Sequence, residues 1–416
     1  MFNSLKQKWS NRENRNVLIY MLSDLLAKGI PFLLIPFYTL YLTPEQFGSI
    51  AVFNIIVEIM IIFVVMGGNT YFRVEYFKTK QQSSLFGSVF INLVVTLPIA
   101  LLLMFLFVLF DLDPTQHSAF WLYAAVLIAL TQSIILLVLA FLQCKGQALY
   151  VGLLNLLSAA VSGILTVYFL SLEYLDEARY IAYLFTSILI MCISLFVYKR
   201  TNKNWPKLNT EQSKPALKFG LGVLPHALSW WARTGMDRMI IAKFVSVHQV
   251  GLYSIAAQLS LIVIVFSNAV NQAFTPKIMK MLSENQFSQT VLLCFKVIFG
   301  YMIICILLAL SAPLIFDLLI DVKFEQAKSL LPLMCAVAFF QATVTLFSNF
   351  LYFFKRVKLL SSITFFSSAL HVILAWFLVG NYGVNGVIGS SIATYLLSSI
   401  LIIIFSLSSI KRGQNA

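Results

Sequence analysis

Charge is what this sequence has least of. Asp, Glu, Lys and Arg make up 11% of its 416 residues, 60% are hydrophobic, and mean hydropathy is +0.89. Soluble domains carry about 25% charged residues. Too few ionisable groups remain to coat a surface in water, which excludes a soluble globular enzyme, a disordered tail and a nucleic-acid module. Cysteine is scarce as well. The five, Cys144, Cys192, Cys294, Cys305 and Cys335, fall in or beside apolar stretches. They form no C-x-x-C pair and no zinc-like spacing, so neither a disulfide framework nor a metal site is expected. A P-loop, an H-E-x-x-H run and a Ser/His/Asp set in a polar domain are all missing, so chemistry on a bond is not expected and no cofactor is called for.

Long apolar runs are abundant. A membrane-crossing helix needs about 20 mostly apolar residues. Twelve such stretches are predicted, at residues 17–42, 48–71, 85–110, 119–143, 150–170, 180–198, 219–242, 251–274, 290–316, 330–354, 359–379 and 385–410. They lack the every-second-residue alternation of membrane strands. No cleavage site follows the first span, so it is expected to be retained. The fold class predicted is an all-α polytopic membrane protein.

Acidic residues are outnumbered 29 to 16, a net charge of +13, and the loops divide them unequally. With the N-terminus placed in the cytoplasm, cytoplasmic segments hold 21 Lys/Arg and 4 Asp/Glu. The opposite loops hold 4 Lys/Arg (Arg179, Lys243, Lys323 and Lys328) and 9 Asp/Glu. This is the positive-inside pattern, and it places both termini inside. It accounts for the basic excess without nucleic acid.

The longest polar interruption, residues 199–217, falls after the sixth span. It reads as a basic cytoplasmic linker between an N-terminal six-helix bundle, 1–198, and a C-terminal one, 218–416. The halves echo each other. The first span ends in Thr43-Pro44-Glu45-Gln46-Phe47-Gly48 and the seventh in Ser246-Val247-His248-Gln249-Val250-Gly251. With an even number of spans per half, the repeats would run parallel through the bilayer, with binding between them near mid-membrane.

Several patterns together carry a resemblance. They are Lys28-Gly29-Ile30-Pro31 with Pro36; Leu42-Thr43-Pro44-Glu45-Gln46-Phe47-Gly48; Pro225, Trp230 and Asp237-Arg238; Val250-Gly251-Leu252-Tyr253-Ser254-Ile255-Ala256; and Asn381-Tyr382-Gly383-Val384-Asn385-Gly386-Val387-Ile388-Gly389. In this order, over twelve spans, the chain resembles the polysaccharide-transport branch of the multidrug/oligosaccharidyl-lipid/polysaccharide exporter superfamily, most closely the O-antigen flippases. The resemblance implies two six-helix bundles around a V-shaped central cavity that rock between inward- and outward-facing states. It implies flipping of an undecaprenyl-pyrophosphate-linked oligosaccharide, as in lipopolysaccharide O-antigen assembly, across the bacterial inner membrane. Expected partners are that glycan, membrane lipid, and the polymerase and chain-length machinery of the same assembly line.

Charges inside spans are costly and face a bundle interior or a hydrated cavity. Seven lie there: Asp24, Lys28, Glu58, Arg233, Asp237, Arg238 and Lys296. Lys28, Arg233, Arg238 and Lys296 are candidates for binding pyrophosphate, Arg through a two-pronged fork and Lys as a point charge. Asp24, Glu58, Asp237 and His226 are candidates for coupling to a proton or sodium gradient. Asn54, Trp230, Asn271, Gln272, Gln341, Thr345 and Asn349 form polar and aromatic stripes suited to sugars. His226, Trp230, Arg233 and Asp237 follow spacings of four, three and four, one face of the seventh span. A blander account competes with each role. Asp24 with Lys28, and Arg233 with Asp237, would neutralise each other; Arg238 and Lys296 would reach back to the interfaces; His226 and His371 would be packing residues. Pro31 and Pro36 predict a kink in the first span. The rival functions are a cation-coupled multidrug exporter of the same superfamily, a membrane polysaccharide polymerase or ligase, and a non-catalytic scaffold. The polymerase or ligase is disfavoured because the longest external loop, about a dozen residues from Asp317 to Ser329, is too small for a catalytic domain.

Overall fold

The structure, a computed structural model, describes residues 12–202 and 205–414, without the side chains of 12–18, 20, 21, 24 and 411–414. It is helical throughout these residues, as expected of a chain whose backbone polar groups must be satisfied without water. The elements are α1 (Arg12–Leu33), α2 (Ile35–Tyr41), α3 (Pro44–Val65), α4 (Gly68–Tyr76), α5 (Gln82–Leu109), α6 (Ala119–Cys144), α7 (Ala148–Ser171), α8 (Glu177–Asn202), α9 (Ser213–Phe244), α10 (Val247–Ser283), α11 (Phe287–Leu310), α12 (Ala312–Leu319), a 3₁₀ segment (Val322–Ser329), α13 (Leu331–Phe353) and α14 (Val357–Gln414). Among the described residues, nine helices are long and apolar enough to cross a membrane. The last of them, α14, contains two expected spans. Its backbone leaves the helix at Gly383, where φ is +56°, a conformation that favours glycine. The remaining two expected spans are α1 with α2, and α9, where the intramembrane charges cluster. The protein is a multi-pass membrane protein.

Two expected spans differ in detail. The first is broken between α1 and α2, next to Pro31 and Pro36, as the missing backbone donors require. The second does not run unbroken to Tyr71. It stops at Met66-Gly67, both with positive φ, and restarts as α4.

Contacts divide the chain into two compact units. One comprises residues 1–37 and 52–228, the other 38–51 and 229–416. The chain passes from one unit to the other within α2, α3 and α9.

In the first unit, α6 is the most enclosed rod, flanked by α4, α5 and α8, and α1 lies on α7. At the end carrying the basic loops, Phe86 and Phe141 pack on Tyr198, with ring centroids 4.2 and 4.6 Å away. Residues 207–213 form a strap along the start of α5. The Lys207 amide donates to Ser83 Oγ (3.3 Å), Asn209 Nδ2 to Ser84 Oγ (2.9 Å) and Asn92 Nδ2 to the Ser213 carbonyl (2.9 Å). Ser88 donates to the Asn209 carbonyl, and Tyr71 to Gln212 at 2.7 Å.

In the second unit, α10, α11, α13 and α14 enclose an apolar core that includes Tyr301, Leu346, Phe347 and Phe350. The echo noted in the sequence becomes a helix crossing here. Thr43 and Gln46 cap α3 reciprocally, side chain to backbone, at 2.9 and 3.3 Å. Ser246 caps α10 through the Gln249 amide at 3.2 Å. Gly48 lies against the Val247 carbonyl and Gly251 against the Pro44 carbonyl, so a methyl on either would collide with backbone. The two capped turns thus cross reciprocally, each glycine seated on the other's first turn.

Candidate functional site

Polar side chains inside the apolar rods collect in clusters in each unit. In the second unit, the stripe on α9 changes character along its length. Trp230 is exposed, whereas Arg233 and Asp237 are buried. From Arg233 onward the helix meets α14 through Ser367, His371, Ser391 and Tyr395. Exposed His226, one turn before Trp230, falls in the first unit.

Arg233 and Asp237 do not neutralise each other directly: no ion pair joins them among the described residues. The Arg233 guanidinium stacks on the Tyr395 ring (3.5 Å to its centroid) and donates from Nη1 to Ser367 Oγ (2.8 Å). Its Nε and Nη2 are buried without a hydrogen-bond partner. Asp237 instead faces His371, with Oδ1 2.6 Å from Nε2, while Tyr253 donates to Oδ2 at 2.6 Å. His371 is fully buried, and its Nδ1 lies 3.1 Å from Ser390 Oγ. Ser390 Oγ also bonds to the Val387 carbonyl (2.7 Å), so Asp237, His371 and Ser390 form one buried chain of polar contacts.

Arg238 is turned inward, bonded to Ser254 Oγ (3.2 Å) and the Thr234 carbonyl (3.0 Å). Lys296 is exposed on α11, on the same face as the exposed Leu292, Phe299 and Ile303, away from this cluster. Asn271 and Asn349 meet at 2.8 Å between α10 and α13, and Asn349 also accepts from Thr275 (3.2 Å) and donates to the Leu346 carbonyl. Thr345 bonds back to the Gln341 carbonyl, both half-buried, and Gln272 is exposed.

In the first unit, Lys28 and Glu58 are exposed and Asn54 is half-buried. The side chain of Asp24 lies outside the described residues. At the end carrying the acidic loops, His117 is buried between Asp113 (Nδ1 to Oδ2, 2.8 Å) and the Tyr180 hydroxyl (3.0 Å). Burial pushes the Asp113 carboxyl up, but hydrogen bonds from His117 and Thr115 and the His117 charge outweigh it and hold the group below its ordinary value.

Comparison with known proteins places this architecture. The family of polysaccharide biosynthesis proteins matches residues 14–282. The chain belongs to that family. Among relatives, an uncharacterized membrane protein of Haemophilus influenzae is 28% identical over 64% of this chain and 65% of its own length; the match thus spans just under two thirds of that relative. Lsg locus protein 1 of the same organism is 24% identical over 86% of this chain and 89% of its own. Among solved structures, an inward-facing multidrug resistance MATE family transporter of the MOP superfamily superposes with a TM-score of 0.71 at 13% identity, covering 96% of this chain and 98% of the other. The lipid II flippase MurJ, in an inward closed conformation, gives the same TM-score at 15% identity, over 96% of this chain and 87% of that one. At these identities the likeness shows the fold, that of multi-pass transporters.

Two groups in this polysaccharide biosynthesis protein escape a reading by sequence. His371 is one, because its partner Asp237 lies 134 residues away and no local spacing joins them. The other is Arg179, counted above with the external loops. It is helical, in the first turn of α8, and its guanidinium turns into the bundle. Its signal was present on α7, where Asn155, Ser158, Ser162 and Thr166 recur at spacings of three, four and four.

Proposed function

We propose that this protein is a flippase that moves an undecaprenyl-pyrophosphate-linked oligosaccharide, an O-antigen or related polysaccharide repeat unit, across the bacterial inner membrane. It does so by alternating access between two six-helix lobes, with both termini in the cytoplasm. The observation that carries this reading is the state of Arg233. A membrane-buried cation with two unmet N–H groups, whose nearest helical carboxylate is engaged elsewhere, is matched to an anionic ligand and not to self-neutralisation. Family membership directs that anion toward the phosphate of a lipid-linked glycan. The fold alone does not choose between this and a multidrug exporter, since both kinds of solved structure superpose equally well.

Within this reading Asp237 and His371 carry the coupling ion, a proton. The pair sits one helical turn from Arg233, so protonation of the site and occupancy of the guanidinium act on the same segment of α9. Lys28, exposed on α1, serves as the point-charge contact in the first lobe. Trp230 offers an exposed face for a sugar ring.

The test is the fate of the lipid-linked glycan in cells depleted of the protein. It is expected to accumulate on the cytoplasmic leaflet, while delivery to the outer leaflet stops. Delivery at the normal rate, in a strain with no second flippase, overturns the reading. In proteoliposomes, abolishing the proton gradient is expected to stop accumulation of the glycolipid against its own gradient, and abolishing the sodium gradient is expected to leave it unchanged.

A further inference from the structure

Arg179 sits where the acidic loops are densest, with Glu173, Asp176 and Glu177 within six residues. An arginine there would ordinarily pair with one of them in water. Instead its Nη1 donates to Ser162 Oγ (2.6 Å) and Thr166 Oγ1 (3.3 Å) of α7. These hydroxyls lie nine and five residues before the end of α7 at Ser171, about 14 and 8 Å down the rod at 1.5 Å per residue. The Tyr183 ring flanks the guanidinium at 5.5 Å. Glu58 acts on Tyr183 electrostatically but forms no ion pair with Arg179 among the described residues.

The cation is therefore drawn into the apolar part of the unit and met only by neutral dipoles and an aromatic face. Drawing a charge out of water without a counter-ion is unfavourable unless something completes it. The group is half-buried, so it remains reachable. Its Nε and Nη2, the edge that grips two phosphate oxygens at once, have no protein partner among the described residues. Ser162 and Thr166 hold the other corner and so fix the direction of that edge. Asn155 and Ser158 continue the polar stripe along α7 toward mid-membrane.

We infer that Arg179 is an anion-binding residue of the translocation path in the first unit, taking the phosphate of the lipid-linked glycan at the end of the protein where the acidic loops lie. This rests on the flippase reading, and it adds a phosphate contact far along the chain from Lys28 and Arg233. In the proposed orientation it is the exit-side contact. The Ser162 and Thr166 hydroxyls are positioning residues for it.

The experiment uses the full-length protein in proteoliposomes, with two fluorescent probes of the same disaccharide, one linked to undecaprenyl pyrophosphate and one to a neutral lipid. R179Q is expected to slow flipping of the pyrophosphate probe by about tenfold or more, the equivalent of losing one charge-assisted hydrogen bond. R179K, which keeps the charge but loses the fork, is expected to fall between R179Q and wild type. Both variants are expected to unfold at the wild-type temperature in detergent and to treat the neutral probe as wild type does. If wild type does not move the pyrophosphate probe, the flippase reading fails and this inference falls with it. If wild type moves it and R179Q moves it equally fast, only the role of Arg179 falls. A lowered unfolding temperature in R179Q, with undiminished flipping by the folded fraction, makes the residue a tie between α7 and α8 and also overturns the proposal.

Discussion

Replacing His371 with Leu tests the buried pair in the second unit most directly. The imidazole is fully enclosed, and its loss leaves Asp237 Oδ1 facing an apolar side chain, with only Oδ2 still bonded to Tyr253. Removing one member of a buried ionic pair costs about 3–5 kcal/mol, whereas replacing both by apolar residues of similar volume is often neutral or stabilising. Asp237→Leu alone strands His371 in the same way. The double variant D237L/H371L should therefore recover much of the loss, and the coupling energy from the cycle should be about 3 kcal/mol. Asp237→Asn is a milder change. The Asn side-chain carbonyl still accepts a hydrogen bond from Nε2, so the contact survives without the carboxylate charge. The assay is thermal unfolding of the four purified proteins in the same detergent. Taking about 2–4 °C per kcal/mol for a mid-sized domain, H371L should melt at least about 6 °C below wild type. Wild-type stability in H371L, or losses that simply add in the double variant, would refute the buried coupling of Asp237 with His371. D237N should remain folded and lose the response of transport to the proton gradient.

The reciprocal crossing of α3 and α10 leaves no room for a side chain. Gly48→Leu and Gly251→Leu should each lower the yield of folded protein and its unfolding temperature, beyond the ~1–3 kcal/mol usual for overpacking, because the obstacle is backbone; a fully stable G251L would show that the crossing is not maintained. Asp113 supplies a pH signature. Its carboxyl is held below the ordinary value, so the folded state favours the charged form. That contribution is present above the ordinary carboxylate range and is lost as pH falls through and below it. Asp113→Asn should therefore narrow its stability gap to wild type as pH falls, measured by unfolding temperature across acid pH; a gap that stays constant would show that the Asp113–His117–Tyr180 contacts contribute no linkage.

Much of the architecture was legible because membrane helices are written in composition. Runs of 20 or more apolar residues and the sorting of Lys and Arg into alternate loops need no tertiary information. The kink at Pro31 and Pro36 follows from missing donors. The relation of Thr43–Gly48 to Ser246–Gly251 was visible as an echo, but not that the two turns touch. What stayed hidden were contacts between distant segments. Helical spacing grouped Arg233 with Asp237 as partners, yet Asp237 turns to His371 and Arg233 to Ser367 and Tyr395. A helical stripe names the residues on one face and is silent about the helix that will cover it. Arg179 was misplaced for a related reason. Its sequence neighbours are acids in water, and only the depth of Ser162 and Thr166 reveals the direction of its side chain.

The strap over residues 207–213 ties down the very stretch that reads as a tether. One passage of the chain from the first unit to the second falls inside a helix, at Leu228 and Ser229 of α9. Pro225, one turn earlier, has already deprived the rod of a backbone hydrogen bond. A bend in that rod would be borne by the same shaft that carries Trp230, Arg233 and Asp237, and would reach those side chains without an intermediary.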